Sequence, residues 1–380
     1  MRIHFDPTGA IETLQQLLRQ LDADARVHGI IVFACTENGY APDTLDPILA
    51  AQCKPLIGGV FPNLIHRAQK LQRGTIVWGV GRPMEVALLR RLSDERVDIE
   101  AALDESLGDP SDTAALQVVL VDGFASRIGA FLSALHDFTG PAVDSIGGGA
   151  GSLDMVQRPC IMTNAGLLAD VAVVARLQTL AGVGVAHGWS AIDGPFRVTE
   201  SEHTVVKTLD WRPAFDAYRE VVEAHSGRTF DDHNFFDIAK AYPFGLSRLD
   251  AERIVRDPLR QGENGALVCV GEVSEGEHVD ILHGDRETLM NAAQLARRQA
   301  DASLAASPGL RLFMDCISRV LFLEDDFEKE LGRVAVDALP VIGACTFGEI
   351  ANARGEFLEF YNKTSVVATL AEVAADNRER

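Results

Sequence analysis

The chain has 380 residues and a formal charge of −20, with 35 Lys and Arg against 55 Asp and Glu, so no basic stripe is available for a phosphate backbone or an anionic membrane surface. Hydrophobic residues at 47% and charged residues at 24% describe an ordinary globular protein, long enough for two domains with cores of their own. The start, Met1-Arg2-Ile3-His4-Phe5-Asp6, meets an acid before any signal-like apolar stretch, and no apolar run approaches the roughly 20 residues that span a bilayer.

Residues 11–21 set Leu14, Leu17, Leu18 and Leu21 on one face, which predicts an amphipathic helix. Gly29-Ile30-Ile31-Val32-Phe33 then reads as an apolar strand ending at Ala34-Cys35-Thr36-Glu37. About 28 residues later Ile57-Gly58-Gly59-Val60-Phe61 predicts a glycine-bearing strand. The plan returns with a strand over 116–121 that ends at Asp122-Gly123-Phe124-Ala125-Ser126, and about 30 residues on comes Ile146-Gly147-Gly148-Gly149-Ala150-Gly151. It returns again with Leu310-Arg311-Leu312-Phe313-Met314, ending at Asp315-Cys316-Ile317-Ser318. A helix near 326–334 follows, then Ile342-Gly343-Ala344-Cys345-Thr346-Phe347-Gly348-Glu349 about 32 residues on.

Ahead of the second and third copies, residues 75–80 with 84–89 and 266–270 with 278–282 predict matching hairpins, each followed by a helix. Residues 180–209 are glycine-rich and β-like, a helix is expected from near Pro213 to His225, and 235–239 and 242–245 suggest a short helix and a turn. After a turn at Ala353-Arg354-Gly355, the last segment carries Tyr361-Asn362-Lys363-Thr364. The repetition predicts an α/β fold of two α/β modules, over 1–212 and 213–372, with mixed sheets built from repeated strand–helix–strand units and a tail at 373–380.

In α/β proteins ligands collect at strand ends, so the three glycine-bearing ends are expected to surround one pocket. Gly147, Gly148 and Gly149 serve either as a backbone-lined pocket wall or for close strand packing; the Walker lysine and GxGxxG spacing are absent. Glu349, among apolar neighbours, needs either a ligand ammonium or an ion pair with Arg319 or Lys363. Asn362 and Thr364, alternating on a strand, would face one side and orient an amino acid or similar solute, with Asp122, Thr346, Asp315 and Ser318 at neighbouring strand ends. Cys316 and Cys345 are either nucleophiles of an enzyme or small buried residues lining the site. Six cysteines without a CxxC pair fit reduced thiols and a cytoplasmic location. Asp231-Asp232-His233 and His283-Gly284-Asp285 lack zinc-like spacing, so no metal is assigned, while His187, His203 and His233 are the axial candidates should haem be the cofactor.

Phe313 to Arg319, Gly343 to Ile350 and Phe360 to Thr364, together with Asn234 to Ala239, Tyr242 to Gly245 and the approach Pro213-Ala214-Phe215-Asp216-Ala217-Tyr218, resemble the C-terminal module of FIST proteins. These are bacterial and archaeal sensory input domains with an N- and a C-terminal half. The chain departs from the N-terminal pattern, carrying Ile57-Gly58-Gly59-Val60-Phe61-Pro62-Asn63 where many members have a Gly-Cys-Thr-x-x-Gly-Glu-Ile segment. The resemblance implies a non-enzymatic, small-molecule-binding sensor, its ligand an amino acid or related metabolite. One branch of the family binds haem, senses nitric oxide and regulates a histidine kinase. With no output domain recognised in the sequence, the expected partner is a separate signalling protein such as a histidine kinase or cyclase, with homo-oligomerisation left open.

Overall fold

The computed structural model describes residues 2–107, 116–246, 253–352 and 356–372; the expected turn at 353–355 and the tail at 373–380 lie outside the described residues. Three copies of one unit and an inserted sheet make up the fold. The first unit runs strand Arg2–Asp6, helix Ile11–Ala23, central strand Gly29–Cys35, helix Pro42–Ala50, glycine-bearing strand Leu56–Phe61, hairpin Asn63–His66 and Gln69–Leu71, and return strand Thr75–Val80. The second repeats this order with Met84–Arg90, Ile99–Leu107, Leu116–Asp122, Ile128–Thr139, Asp144–Ala150, the hairpin Ile161–Thr163 and Gly166–Leu168, and Val171–Leu177. The third opens with Ala181–Ala186 and resumes, after the insertion, with helix Arg286–Ser303. Strand Pro308–Cys316, helices Ile317–Leu323 and Phe327–Val334, strand Val341–Thr346, the hairpin Glu349–Asn352 and Glu359–Tyr361, and Ser365–Ala371 complete it.

Within each unit the central strand lies between its parallel glycine-bearing partner and the antiparallel return strand. The hairpins are exchanged in a cycle. The first unit's hairpin pairs with Val341–Thr346 of the third, the third unit's with Asp144–Ala150 of the second, and the second unit's with Leu56–Phe61 of the first. Each exchange covers an otherwise open sheet edge.

The shared Ile-Gly echo has a steric cause. Gly58, Gly147 and Gly343 occupy one register position, opposite Val32, Val119 and Phe313. A Cβ there would lie 2.5, 1.6 and 1.7 Å from the carbonyl oxygens of those three residues. No side chain fits, so these glycines serve strand packing.

The central strands are apolar on both faces because both are covered. Ile31 and Phe33, Val118 and Leu120, and Leu312 and Met314 enter one shared core, whereas Val32, Val119 and Phe313 pack under their own unit's helices. The expected pocket at the meeting point of the three glycine-bearing strands is therefore not there, since this shared core fills the middle. The predicted hairpins also resolve otherwise. Thr75–Val80 and Met84–Arg90 lie in different sheets, as the end of one unit and the start of the next.

The fourth sheet is inserted between Ala181–Ala186 and Arg286–Ser303, in the order Ser190–Glu202, His278–His283, Phe244–Leu246, Ile254–Gln261, Leu267–Val270, Val205–Leu209, Arg212–Pro213. Leu267–Val270 and His278–His283 are thus not neighbours, and the segment expected as a turn at 242–245 includes the start of a strand. Helix Ala214–Ser226 buries Phe215, Tyr218 and Val222 against this sheet, and the Tyr218 hydroxyl donates to the Tyr242 carbonyl at 2.7 Å. No helix among the described residues is long and apolar enough to cross a membrane.

Candidate functional site

A cavity of about 660 Å³ opens where the second unit, the third unit and the inserted sheet meet, a volume within the range of small-molecule sites. The second unit contributes the loop after its central strand, Gly123 to Ser126. From the third come Cys316, Ser318 and Leu321 at its first short helix, Phe347 and Phe360 beside its exchanged hairpin, and Asn362. The inserted sheet contributes Arg256, Asp257, Cys269 and the segment Val270 to Glu272. Leu153 and Met155, each 54% exposed, stand on its rim.

Three of the ligand-binding residues proposed from the sequence line this cavity, Cys316, Ser318 and Asn362, as does the haem candidate His203. Cys316 Sγ lies 2.9 Å from Ser318 Oγ, and Asn362 Oδ1 accepts from Arg256 Nη1 at 3.3 Å. Four more form a buried polar network adjoining them. Glu349 Oε1 accepts from Thr346 Oγ1 at 2.7 Å and Oε2 from the Thr364 N–H at 3.3 Å. Asp315 Oδ1 accepts from the Cys316 N–H at 3.1 Å and Ser365 Oγ at 3.0 Å. The expected alternation of Asn362 and Thr364 breaks at Lys363, whose φ of 53° is left-handed. Asn362 reaches the cavity, and the Thr364 hydroxyl turns back onto the Asn362 carbonyl at 2.7 Å.

The remaining candidates sit elsewhere. Gly147, Gly148 and Gly149 are strand residues; the Gly149 N–H donates to Gly348 O at 2.9 Å, and a Cβ on Gly148 would meet Thr346 Cγ2 at 2.6 Å. Asp122 is fully buried and holds its own loop, accepting from the Phe124 and Asp170 N–H groups at 3.1 and 2.7 Å and from Gln157 Nε2 at 2.8 Å. Cys345 is buried in its strand. Of the histidines, His203 borders the cavity. His187 is buried with its Nδ1 accepting the Trp189 N–H, and His233 lies in a loop outside it.

Neither cation expected for Glu349 pairs with it. Arg319, fully buried, forks onto Glu330 at 3.1 and 2.7 Å, lies 3.1 Å from Asp315, and donates to the carbonyls of His187, Leu289 and Lys363. Lys363 pairs with Asp257 at 3.0 Å and donates to Lys240 O at 2.9 Å. Burial pushes the Glu349 carboxyl up to about 8 against the opposing pull of the Thr346 and Thr364 donors, so it is largely protonated at neutral pH. Burial, with the neighbouring Glu349 charge, pushes the Cys316 thiol up to about 12, and Cys345 is raised well above its ordinary value for the same first reason. Both stay thiols at neutral pH, and the thiolate is the nucleophilic form. All six cysteines are free.

Lys363 was expected only as a counter-ion for Glu349, and Arg256 and Asp257 were not singled out from the sequence. Their signal was present: Ile254-Val255-Arg256-Asp257-Pro258-Leu259 places two charges inside an otherwise apolar strand, and buried charges demand partners.

The arrangement is suited to holding a small guest between three parts of the chain. The FIST N domain matches residues 29–212 and the FIST C domain residues 214–352, their junction falling inside the inserted sheet. No curated protein matches the chain. FIST domains are sensory domains that bind small ligands in signal transduction. With both of its domains matched across most of the length, the chain belongs to the FIST family.

Proposed function

We propose that the protein is a cytoplasmic sensor that binds an amino acid or related metabolite in this cavity and relays its occupancy, without covalent chemistry, to a separate signalling protein such as a histidine kinase or cyclase. The observation that carries the reading is the cavity's position. Its walls come from the second unit, the third unit and the inserted sheet, so one guest touches all three. A ligand that binds one arrangement of these three parts better than another shifts the population toward it and changes the surface offered to a partner. Thiols kept protonated by burial fit binding better than nucleophilic catalysis.

A thermal-shift screen of amino acids, related metabolites and haem on the full chain tests this. Hits are expected to disappear in Asn362→Ala and in Ser318→Phe, which fills the cavity. Hits that survive both substitutions would place the site elsewhere.

A second reading, haem as cofactor, draws on His203, the axial candidate on the cavity wall. Its side chain is 79% exposed and lies 3.8 Å from Glu272, and it is the residue that would hold the iron. Haem bound there would supply a site for a diatomic gas. A Soret band on haem addition that is lost in His203→Ala supports this reading, and a band unchanged by that substitution removes it.

A further inference from the structure

On the reading of the cavity as a small-molecule site, we propose that Asp257 Oδ1 receives a charged nitrogen of the ligand, and that the cavity takes compact amines, each an ammonium head on an apolar body.

Asp257 is 2% exposed and lines the cavity. Its Oδ2 is held by Lys363 Nζ at 3.0 Å, and its Oδ1 has no hydrogen-bond partner among the described residues. A buried carboxylate oxygen left bare is costly, and one charge-assisted donor satisfies it. The cations nearby are already engaged. Lys363 donates to Lys240 O and stands 5.2 Å over the Trp189 ring. Arg256 donates to the carbonyls of Glu272, Val255 and Phe360 and to Asn362 Oδ1.

The rest of the cavity favours the same guest. Phe124, Phe347 and Phe360 supply aromatic surface for an apolar body and for cation–π contact with its head. Glu95 and Glu272 line the cavity as well, and with a net charge of −20 the surrounding field favours cations over anions. An amino acid and the amine lacking its carboxylate share the recognised group, and the experiment separates them.

The test uses the full chain with three probes of one shape: 2-phenylethylamine, phenylalanine and 3-phenylpropionate, followed by thermal shift and calorimetry. The amine is expected to bind at least about tenfold more tightly than 3-phenylpropionate, and to lose about tenfold or more in Asp257→Asn. Phenylalanine matching the amine points to amino acids, and phenylalanine binding more weakly points to amines without a carboxylate; both results support the Asp257 assignment. Asp257→Asn also strips Lys363 of its charge partner, so the three probes on the unaltered protein give a readout that no folding defect can blur. Equal binding of 3-phenylpropionate and the amine overturns the inference and leaves the cavity as a site. Amine binding that is insensitive to Asp257→Asn but lost in Asn362→Ala does the same. If none of the three probes binds, both the inference and the site reading fall.

Discussion

Lys363 Nζ lies 3.0 Å from Asp257 Oδ2, with the two side chains 1% and 3% exposed, so one buried ion pair joins the third unit to the inserted sheet beside the cavity. Removing one member strands the other charge in a dry site, which costs about 3–5 kcal/mol. Lys363→Met is expected to lower stability by that order in urea unfolding. The double variant Lys363→Met/Asp257→Asn should recover part of the loss, because no charge is then left unmatched. A double variant as damaged as the sum of the singles would show that the pair is not coupled.

Gly147 and Gly332 make a controlled comparison. A Cβ on Gly147 would lie 1.6 Å from Val119 O, whereas Gly332, in helix Phe327–Val334, has nothing within 4 Å. Gly147→Ala must push apart the parallel strand pair and is expected to cost at least about 2 kcal/mol, in the manner of an overpacked core. Gly332→Ala should stabilise by about 0.5–1 kcal/mol through a less flexible unfolded chain. Equal effects from both in chemical denaturation would remove the steric account of the Ile-Gly echo.

The Glu349 carboxyl titrates at about 8 in the folded protein against 4.5 in its ordinary state. Between those values the folded chain holds the proton more tightly than the unfolded one, so this group makes stability fall as pH rises, by up to about 1.4 kcal/mol per pH unit. Asp257 and Asp315, both raised by burial, act in the same direction. Unfolding free energies measured from pH 5 to 8 should therefore decline less steeply in Glu349→Gln. An unaltered slope in that variant would mean that Glu349 is ionised throughout.

Thiol reactivity separates a binding site from a covalent one. Cys53 is exposed, while Cys316 and Cys345 are buried. With its thiol pushed up to about 12, Cys316 carries almost no thiolate at pH 7. Labelling of the native protein is expected at Cys53 alone, with Cys316 and Cys345 modified at the rate of unfolding. Rapid native-state labelling of Cys316 would revive the nucleophile.

The sequence by itself determined the repeat and the elements within it. Apolar runs such as Gly29 to Phe33 and 116–121 announced strands, and the recurring Ile-Gly pairs announced a repeat, which the structure places at one register position in three sheets. These features are local, set by periodicity and by a missing Cβ, so they survive in a linear reading. Only the tertiary structure decided where the units close on one another. The hairpin exchange carries Glu349–Asn352 from the third unit into the second unit's sheet, and the strand Ile254–Gln261 arrives from an insertion nearly 100 residues long, between Ala186 and Arg286. The partners of Glu349, Lys363 and Asp257 were therefore hidden, because a buried charge selects its counter-charge by proximity in space, and Asp257 and Lys363 are 106 positions apart along the chain.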